Sequence, residues 1–209
     1  QKITQLEHII KRPDTYVGSI ERTEQQMWTY NKEAQLMQYK TIGFVPGFYK
    51  IFDEILVNAA DNSQREGSNM TMMKVTIDKA SGQISVENNG KGIPVEMHEE
   101  EQIYIPELIF GHLLAGSNFD DDEKKTVGGR NGYGAKLCNI FSTEFTLECQ
   151  DRVRGKRYKQ TWTNNMQSKG KAKVTSSSSA DFVRVTFTPD YQRFGMPDGI
   201  DDDLESLLI

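Results

Sequence analysis

The stretch KIFDEILVNAADN, from Lys50 to Asn62, has the pattern of a helix that is apolar around most of its circumference. Its polar side chains Glu54, Asn58 and Asp61 are spaced i, i+4 and i+7, so they share one face. A surface helix would carry a broader polar face. The stripe is therefore either the solvent edge of an amphipathic helix or the wall of a site. In such a site a carboxylate positions water and an amide oxygen meets a hard cation such as Mg²⁺.

A second stretch, GGRNGYGAKLCNIF from Gly128 to Phe141, has four glycines among its first seven residues and then continues as a helix. It is not a Walker A loop, because Ala135 precedes Lys136 and no Ser or Thr follows the lysine, and it is not the dinucleotide-binding fingerprint. Arg130 and Lys136 lie at the helix start, where cations oppose the helix dipole. Cations beside bare backbone amides predict a bound anion. We interpret the glycines as a wrap around phosphates.

A third stretch, ISVENNGKGIP from Ile84 to Pro94, runs from a strand into a turn with two glycines. The plain interpretation is an ordinary turn. The alternative is a floor of exposed backbone for a flat heterocycle, with Asn88 supplying one hydrogen bond and Ile93 lying beside it.

Composition and charge restrict the classes of function. The chain has 209 residues, 36% hydrophobic and 26% charged, which is typical of a soluble globular protein. No apolar run approaches the length of a membrane span and no signal-peptide pattern opens the chain, so we expect no membrane partner. Cys138 and Cys149 lack metal-ligand spacing and are expected to be reduced thiols in an intracellular protein.

The net charge of −5 argues against a dedicated nucleic-acid-binding module. One short basic cluster is the exception: Arg152, Arg154, Lys156, Arg157 and Lys159. We favour a solvated hairpin for this cluster over a nucleic-acid contact.

The order of elements predicts the fold class. A capping box at Thr4 and Glu7 starts the first helix, a hairpin is expected around Asn31-Lys32, and Pro106 lies in the first turn of a helix that begins near Glu101. Helices interspersed with antiparallel-looking strands predict an α/β two-layer sandwich, in which a mixed, largely antiparallel sheet has helices on one face. A last helix from about residue 201 stops abruptly. We therefore expect residues 1–209 to be a single domain that is cut short inside that helix.

In this order, the three stretches resemble the ATPase superfamily shared by gyrase, the heat-shock chaperone ATPases, histidine kinases and MutL. Longer segments are similar to the N-terminal ATPase domain of eukaryotic type II DNA topoisomerases over nearly the whole chain. These segments are LEHIIKRPDTYVGS, FDEILVNAADN, NNGKGIP, YIPELIFGHLL and DDDEKKTVGGRNGYGAKLCNIFSTEF. The resemblance implies a Bergerat-type ATP-binding fold with ATP and Mg²⁺ as cofactors. It further implies a nuclear enzyme that closes as a homodimer on binding nucleotide and acts, at full length, on double-stranded DNA.

The resemblance also assigns roles to residues. Glu54 matches the general base, Asn58 the Mg²⁺ ligand, and Asn88 the adenine contact, with Ile93 and Phe110 as walls. The ribose and phosphate contacts it implies are Ser117, Asn118, Gly129, Arg130, Asn131, Gly132, Tyr133, Gly134, Ala135 and Lys136. Gly116 stands where the family usually has a second serine, so one hydroxyl contact is not expected here.

Two parts that the family uses lie outside these residues: a tyrosine ahead of Gln1 that reaches the partner subunit's nucleotide, and a lysine of a following transducer domain that contacts the γ-phosphate. Two rival functions remain to be tested. The first is another ATPase of the same superfamily, of the chaperone or mismatch-repair type. The amino-acid sequence of the phosphate loop argues against it. The second is a non-enzymatic nucleic-acid-binding module, which the net charge argues against.

Overall fold

A computed structural model describes residues 3–113 and 133–209. The helices are α1 (Gln5–Lys11), α2 (Pro13–Tyr16), α3 (Pro46–Asp61), α4 (Ile105–Gly111), α5 (Gly134–Ile140) and α6 (Asp202–Leu208), and a 3-10 turn follows α3 at Asn62–Gln64. The strands are β1 (Thr23–Asn31), β2 (Leu36–Phe44), β3 (Met73–Asp78), β4 (Gln83–Asn88), β5 (Ser142–Asp151), β6 (Lys156–Thr163), β7 (Ser168–Lys169), β8 (Lys173–Ser176) and β9 (Phe182–Pro189). Within the described residues, no helix has the length and apolar content that crossing a membrane requires.

The strands form two sheets. β1 and β2 pair only with each other, and the larger sheet has the order β3-β4-β9-β5-β6-β7, with β8 also pairing with β6. Every strand pair in the described residues is antiparallel. Helices α3, α4 and α5 pack against the larger sheet. The two-layer α/β sandwich expected from the sequence is confirmed.

The two faces of the larger sheet differ in chemistry because side chains alternate along each strand. Along β9 the side chains of Val183, Val185 and Phe187 are buried under the helices. The opposite face is polar, and cross-strand hydroxyl pairs such as Ser85 with Thr186, at 3.2 Å between oxygens, cover it. Burial of each large apolar side chain stabilises the fold by about 1.5–3 kcal/mol, so the helical face supplies the core.

Local signals explain where α1 and α3 begin. The capping box predicted at Thr4 and Glu7 is present, with Thr4 accepting from the Glu7 amide and Glu7 accepting from the Thr4 amide. Helix α3 starts at Pro46, a position that tolerates proline because the first-turn amides lack helical partners. One of these amides, that of Gly47, donates to the Ser19 carbonyl at 2.7 Å.

Two predicted boundaries differ from the observed ones. Asn31 still pairs with Leu36, so the hairpin turn occupies residues 32–35 rather than Asn31-Lys32, and Gln35 takes a left-handed φ of 53° to close it. Helix α4 begins at Ile105 rather than near Glu101, because the chain first makes a turn in which Gln102 has a φ of 52°.

The β1–β2 hairpin has one covered face and one open face. Helix α6 packs against it, and ion pairs connect the two elements, among them Lys40 Nζ with Asp203 Oδ1 at 2.9 Å. On the other face Trp28 and Tyr39 are cross-strand neighbours with ring centroids 5.3 Å apart, and Trp28 is 60% exposed. The second tryptophan, Trp162 on β6, is only 1% exposed in the core.

Candidate nucleotide site

Helix α3 brings the carboxylate of Glu54 against the first residue of α5. A Cβ atom at Gly134 would lie 2.5 Å from Glu54 Oε2, a separation that real Cβ contacts do not show. A side chain at this position would have to displace the Glu54 carboxylate, so glycine permits the close approach of that carboxylate to the main chain. The polar stripe and the end of the glycine-rich stretch, two signals far apart in sequence, meet at this point.

Lys50 holds the other side of the Glu54 carboxylate. Lys50 Nζ lies 2.6 Å from Glu54 Oε1, one helical turn away, and the Glu54 side chain is only 20% exposed. This hydrogen bond is the main reason that the pKa of Lys50 is raised. Sequence reasoning missed Lys50, although a Lys–Glu spacing of i, i+4 is a recognised pairing signal.

Asn58 lies one turn beyond Glu54 on the same face of α3. Its side chain is half-buried, and it has no hydrogen-bond partner among residues 3–113 and 133–209. A free amide oxygen one turn from a carboxylate fits Mg²⁺, which prefers oxygen ligands and keeps several waters or phosphate oxygens. Asp61, the third member of the stripe, is exposed.

Asn88, at the end of β4, is 2% exposed and fixed by its neighbours. Its Oδ1 accepts hydrogen bonds from Asn62 Nδ2 at 2.7 Å and from the Gly90 amide at 3.1 Å. Asn62 Nδ2 also donates to the Lys91 carbonyl at 3.0 Å, which ties the turn to the end of α3. Within the described residues, Asn62 Oδ1 is buried without a partner. Asn62 is thus a second buried amide at the predicted base contact, and sequence reasoning missed it.

The two predicted base walls are both buried. Ile93 is 6% exposed and Phe110 is 1% exposed. The Phe110 ring packs against Phe145 at 6.2 Å between centroids, and its carbonyl accepts from Asn139 Nδ2 at 2.9 Å. Phe110 is a core residue in this structure and reaches no open surface. The wall role of both residues stays a prediction.

Tyr133 connects the predicted phosphate wrap to the N-terminal helices. Its hydroxyl accepts a hydrogen bond from Gln5 Nε2 of α1. Its ring meets Tyr16 of α2 edge-on, with 5.8 Å between centroids. Burial raises the pKa of Tyr133.

Ala135 and Lys136 follow in the first turn of α5. Ala135 is buried, and Lys136 is half-buried without an ion pair among the described residues. Burial lowers the pKa of Lys136, so a cation here is poorly solvated and gains from a bound anion. Six predicted contacts lie outside the described residues: Ser117, Asn118, Gly129, Arg130, Asn131 and Gly132.

Residues 45–193, which carry α3, the Asn88 turn and α5, match the family described as "Histidine kinase-, DNA gyrase B-, and HSP90-like ATPase". The chain belongs to this ATPase family.

Comparison with individual members of the family defines the resemblance in more detail. The chain is 64% identical over 208 residues to a DNA topoisomerase 2 of Penicillium chrysogenum, covering all of this chain and 13% of the relative. It is 56% identical to the crystal structure of the ATPase region of Saccharomyces cerevisiae topoisomerase II, with a TM-score of 0.90, covering all of this chain and 55% of that one. The resemblance to the ATPase domain of eukaryotic topoisomerase II is confirmed.

A more distant solved ATPase confirms the fold alone. The 43K ATPase domain of Thermus thermophilus gyrase B is 24% identical with a TM-score of 0.66, covering 96% of this chain and 43% of that one. The chain spans only about one seventh of the length of the curated topoisomerase relatives, as its 14% share of the Saccharomyces cerevisiae enzyme illustrates.

The two cysteines and the basic cluster lie outside this candidate site. Both cysteines are free and buried, as expected for reduced thiols. The basic cluster lies on the β5–β6 hairpin and its side chains are exposed, so the hairpin part of the expectation is confirmed. Arg154 at its turn pairs with Glu96 at 2.8 Å and with Asp151 at 3.2 Å.

Proposed function

We propose that this chain is the ATP-binding and ATP-hydrolysing domain of a type II DNA topoisomerase. The observation that carries the proposal is the Glu54 carboxylate, which lies between Lys50 and the backbone of Gly134 with the free amide of Asn58 one turn away. This arrangement provides a general base, a metal ligand and a main-chain surface for phosphates within two elements.

In the proposed reaction, Glu54 accepts a proton from the water that attacks the γ-phosphorus of ATP. The new bond joins the water oxygen to phosphorus, the bond from phosphorus to the β,γ-bridging oxygen breaks, and ADP leaves with that oxygen. Bound Mg²⁺ would neutralise charge on the phosphates. Asn58 would hold the metal through its amide oxygen, and Lys136 would offset the negative charge of the phosphates.

Lys50 acts on Glu54 rather than on the nucleotide. A salt bridge at 2.6 Å fixes one carboxylate oxygen, so the other faces α5. Catalysis by a general base depends on how accurately the carboxylate is oriented towards the attacking water. We therefore assign Lys50 as a positioning residue.

Asn88 and Asn62 are the residues we propose for the base. The Nδ2 of Asn88 has no partner in the described part of the chain, and Asn62 Oδ1 is a buried acceptor without a donor there. A purine with an exocyclic amine offers both a ring acceptor and a donor. Adenine would thus bond the Nδ2 of Asn88 and satisfy the Asn62 acceptor, which is otherwise costly to bury.

The activity of the longer enzyme is proposed from its relatives. We infer that the full protein is a nuclear homodimer that closes on binding ATP and passes one DNA duplex through a transient double-strand break in another. The 57% identity to the DNA topoisomerase 2 of Saccharomyces cerevisiae supports this inference.

The domain organisation is part of the same proposal. We infer that residues 1–209 form the ATP-binding domain and that a transducer domain follows. The chain covers 54% of a solved chain described as the ATPase and transducer domains of DNA topoisomerase II from Balamuthia mandrillaris, at 47% identity. The other superfamily ATPases stay as the alternative, and a supercoil-relaxation assay on the full-length protein distinguishes them.

The test replaces Glu54 by Gln. We expect the variant to bind an ATP analogue normally and to lose about 10²–10⁴-fold in turnover, which is the usual contribution of a general base. Asp53→Asn is the matched control, because it makes the same chemical change at the adjacent position of α3 and should keep its turnover. Normal hydrolysis by the Glu54→Gln variant would refute the assignment.

A further inference from the structure

The charges of this protein are strongly segregated along the chain. Residues 148–184, from β5 to β9, contain nine Lys and Arg residues and three Asp and Glu residues, a net charge of +6. Because the whole chain has a net charge of −5, the remaining residues together carry −11. A strongly basic region on an acidic protein requires an explanation beyond solubility, since charge of one sign focuses oppositely charged partners.

The polar face of the larger sheet arranges these charges in a row across the strands. The strand registers place Lys74 opposite Glu87, Glu87 opposite Arg184, Arg184 opposite Glu148, and Glu148 opposite Lys159. Up to this point the signs alternate, and Arg184 bonds both of its acidic neighbours, at 2.7 Å to Glu87 and 3.2 Å to Glu148.

The alternation fails at the last step. Lys159 of β6 lies directly opposite Lys173 of β8, and like charges in that position destabilise a sheet. Arg157, two residues from Lys159 on the same face, adds a third cation. Among the described residues, Glu148 is the acid that pairs with these cations: it lies 3.5 Å from Arg157 and 3.6 Å from Lys159, and it also pairs with Arg184. Lys173 has no ion pair in the described part of the chain.

These residues surround an open depression. A cavity of about 240 Å³ is lined by Glu148, Arg157, Lys159, Lys173 and Thr175. We call Arg157, Lys159 and Lys173 the basic edge. The cations are held in place rather than dispersed: Arg157 and Arg184 both stack on the Phe182 ring at 5.3 Å.

We propose that the basic edge binds the phosphodiester backbone of double-stranded DNA. Arg and Lys on adjacent strands present paired cations to phosphates, the chemistry that dominates sequence-independent DNA affinity. The aromatic ring that contacts this surface in the described part of the chain, Phe182, is occupied by two guanidinium groups. Stacking on unpaired bases, which single-strand binders require, is therefore excluded here. The lining of the depression is polar and lacks the apolar anchor that an acidic peptide would normally need.

The proposal does not depend on the ATPase site, and its test needs no nucleotide. Binding of the chain to a fluorescein-labelled 30-base-pair duplex is followed by anisotropy between 25 and 200 mM NaCl. The test variant is Lys159→Gln with Lys173→Gln. The control is Lys11→Gln with Lys74→Gln, which removes the same charge from exposed lysines outside residues 148–184.

We expect the test variant to bind at least about tenfold more weakly at low salt, and the slope of log affinity against log salt to fall by about 2, since each phosphate contact contributes about 0.9. The control should keep the slope of the parent. Lys159→Arg with Lys173→Arg should retain binding. Melting temperatures establish that every variant is folded, and removal of opposed lysines should not lower them.

Three results would overturn the proposal: no salt-dependent binding of the parent chain to duplex DNA, equal loss in the test and control variants, or displacement of DNA by polyglutamate at equal charge. The last result would assign the basic edge to an acidic protein partner. Failure of the Glu54→Gln test leaves this experiment unaffected, so the two proposals fail separately.

Discussion

At the residue scale, the chemistry of this ATPase depends on what surrounds one carboxylate. Glu54 is bound on one side by the Lys50 ammonium at 2.6 Å and is met on the other by the main chain of Gly134. A flexible glutamate would sample several rotamers, and only the fraction of molecules in the productive rotamer could react. The ion pair selects a conformation before nucleotide arrives.

Lys50→Met should therefore lower kcat by about 10- to 100-fold, because a displaced base is poorly oriented. The affinity for an ATP analogue should change less than about twofold, since Lys50 is assigned to Glu54 and not to the nucleotide. Lys50→Arg should restore part of the turnover. Steady-state kinetics and calorimetric binding measure both quantities. A loss of affinity that accounts for the whole loss of activity would contradict the positioning role.

Asn58→Ala should weaken the binding of a non-hydrolysable ATP analogue by more than about tenfold, or about 1.4 kcal/mol, but only when Mg²⁺ is present. The reason is that the variant removes an oxygen ligand from a side chain with no structural bond in the described residues. Asp61→Ala, one turn further along the stripe and exposed, is the matched control and should bind normally. Calorimetry with and without Mg²⁺ measures these affinities. Equal weakening of binding in both conditions would contradict the assignment of Asn58 as a Mg²⁺ ligand.

The placement of side chains was predictable where the signal was local, whereas the roles assigned to them stay predictions. The spacing of Glu54 and Asn58 on a single helix is visible in the sequence, and the structure places both on the face that meets α5. Asn62 was missed because its bond to Asn88 joins residues that are 26 apart in sequence. Only the fold brings such pairs together.

At the element scale, α3 and α5 are coupled through Gly134. Alanine at the first position of a helix would ordinarily stabilise it by up to about 1 kcal/mol relative to glycine. Here the added Cβ would meet Glu54 Oε2 at 2.5 Å. Since Lys50 holds this carboxylate, the new Cβ would displace it and weaken the ion pair, so Gly134→Ala should destabilise the protein and lower its turnover.

A double-mutant cycle tests this coupling. In a Glu54→Ala background the clash is absent, and Gly134→Ala should become neutral or stabilising, with a coupling energy of about 0.5–3 kcal/mol. Urea unfolding of the four proteins provides the free energies. Additive effects would mean that the two residues do not interact.

The β1–β2 hairpin offers an independent prediction about a turn. Gln35 has a φ of 53°, a conformation that costs a side-chain-bearing residue about 1–2 kcal/mol. Gln35→Gly should raise the melting temperature by about 2–4 °C, the shift that about 1 kcal/mol produces in a chain of this size. Gln26→Gly, at an exposed strand position, is the control and should lower it. An unchanged or lower melting temperature for Gln35→Gly would contradict the strain assigned to this turn.

Element types were predictable and element ends were not. Alternation and capping identified the helices and strands, because those signals repeat over many residues. The hairpin turn and the start of α4 were misplaced because single left-handed residues, Gln35 and Gln102, decide them. Neither is a glycine or asparagine, so the sequence carried no turn signal at either position.

At the scale of the whole molecule, burial of ionisable side chains links stability to pH. Burial raises the pKa of the Cys149 thiol from its ordinary value of 9.0 to about 12, and it also raises the pKa of Cys138. The folded protein thus keeps protons that the unfolded chain releases. The contribution of the Cys149 thiol to the free energy of unfolding is complete below pH 9 and is lost as the pH rises towards 12.

The free energy of unfolding should accordingly fall above pH 9, by about 1.4 kcal/mol per pH unit for each such thiol. Cys149→Ala should flatten this dependence between pH 9 and 10.5, although it also lowers stability at neutral pH. Leu147→Ala removes a buried side chain from the same strand without an ionisable group, so its slope should match that of the parent. Urea unfolding across this range measures the slopes, and identical slopes in all three proteins would contradict the prediction.

The two tryptophans are intrinsic fluorescence probes of two different parts of the molecule. Trp28 stands 60% exposed on the hairpin, whereas Trp162 is 1% exposed within the core. A dissolved quencher such as acrylamide reaches the first and not the second, and their emission maxima differ because water surrounds only one of them. A single fluorescence spectrum therefore separates loosening of the hairpin from collapse of the main sheet, without any label attached to the protein.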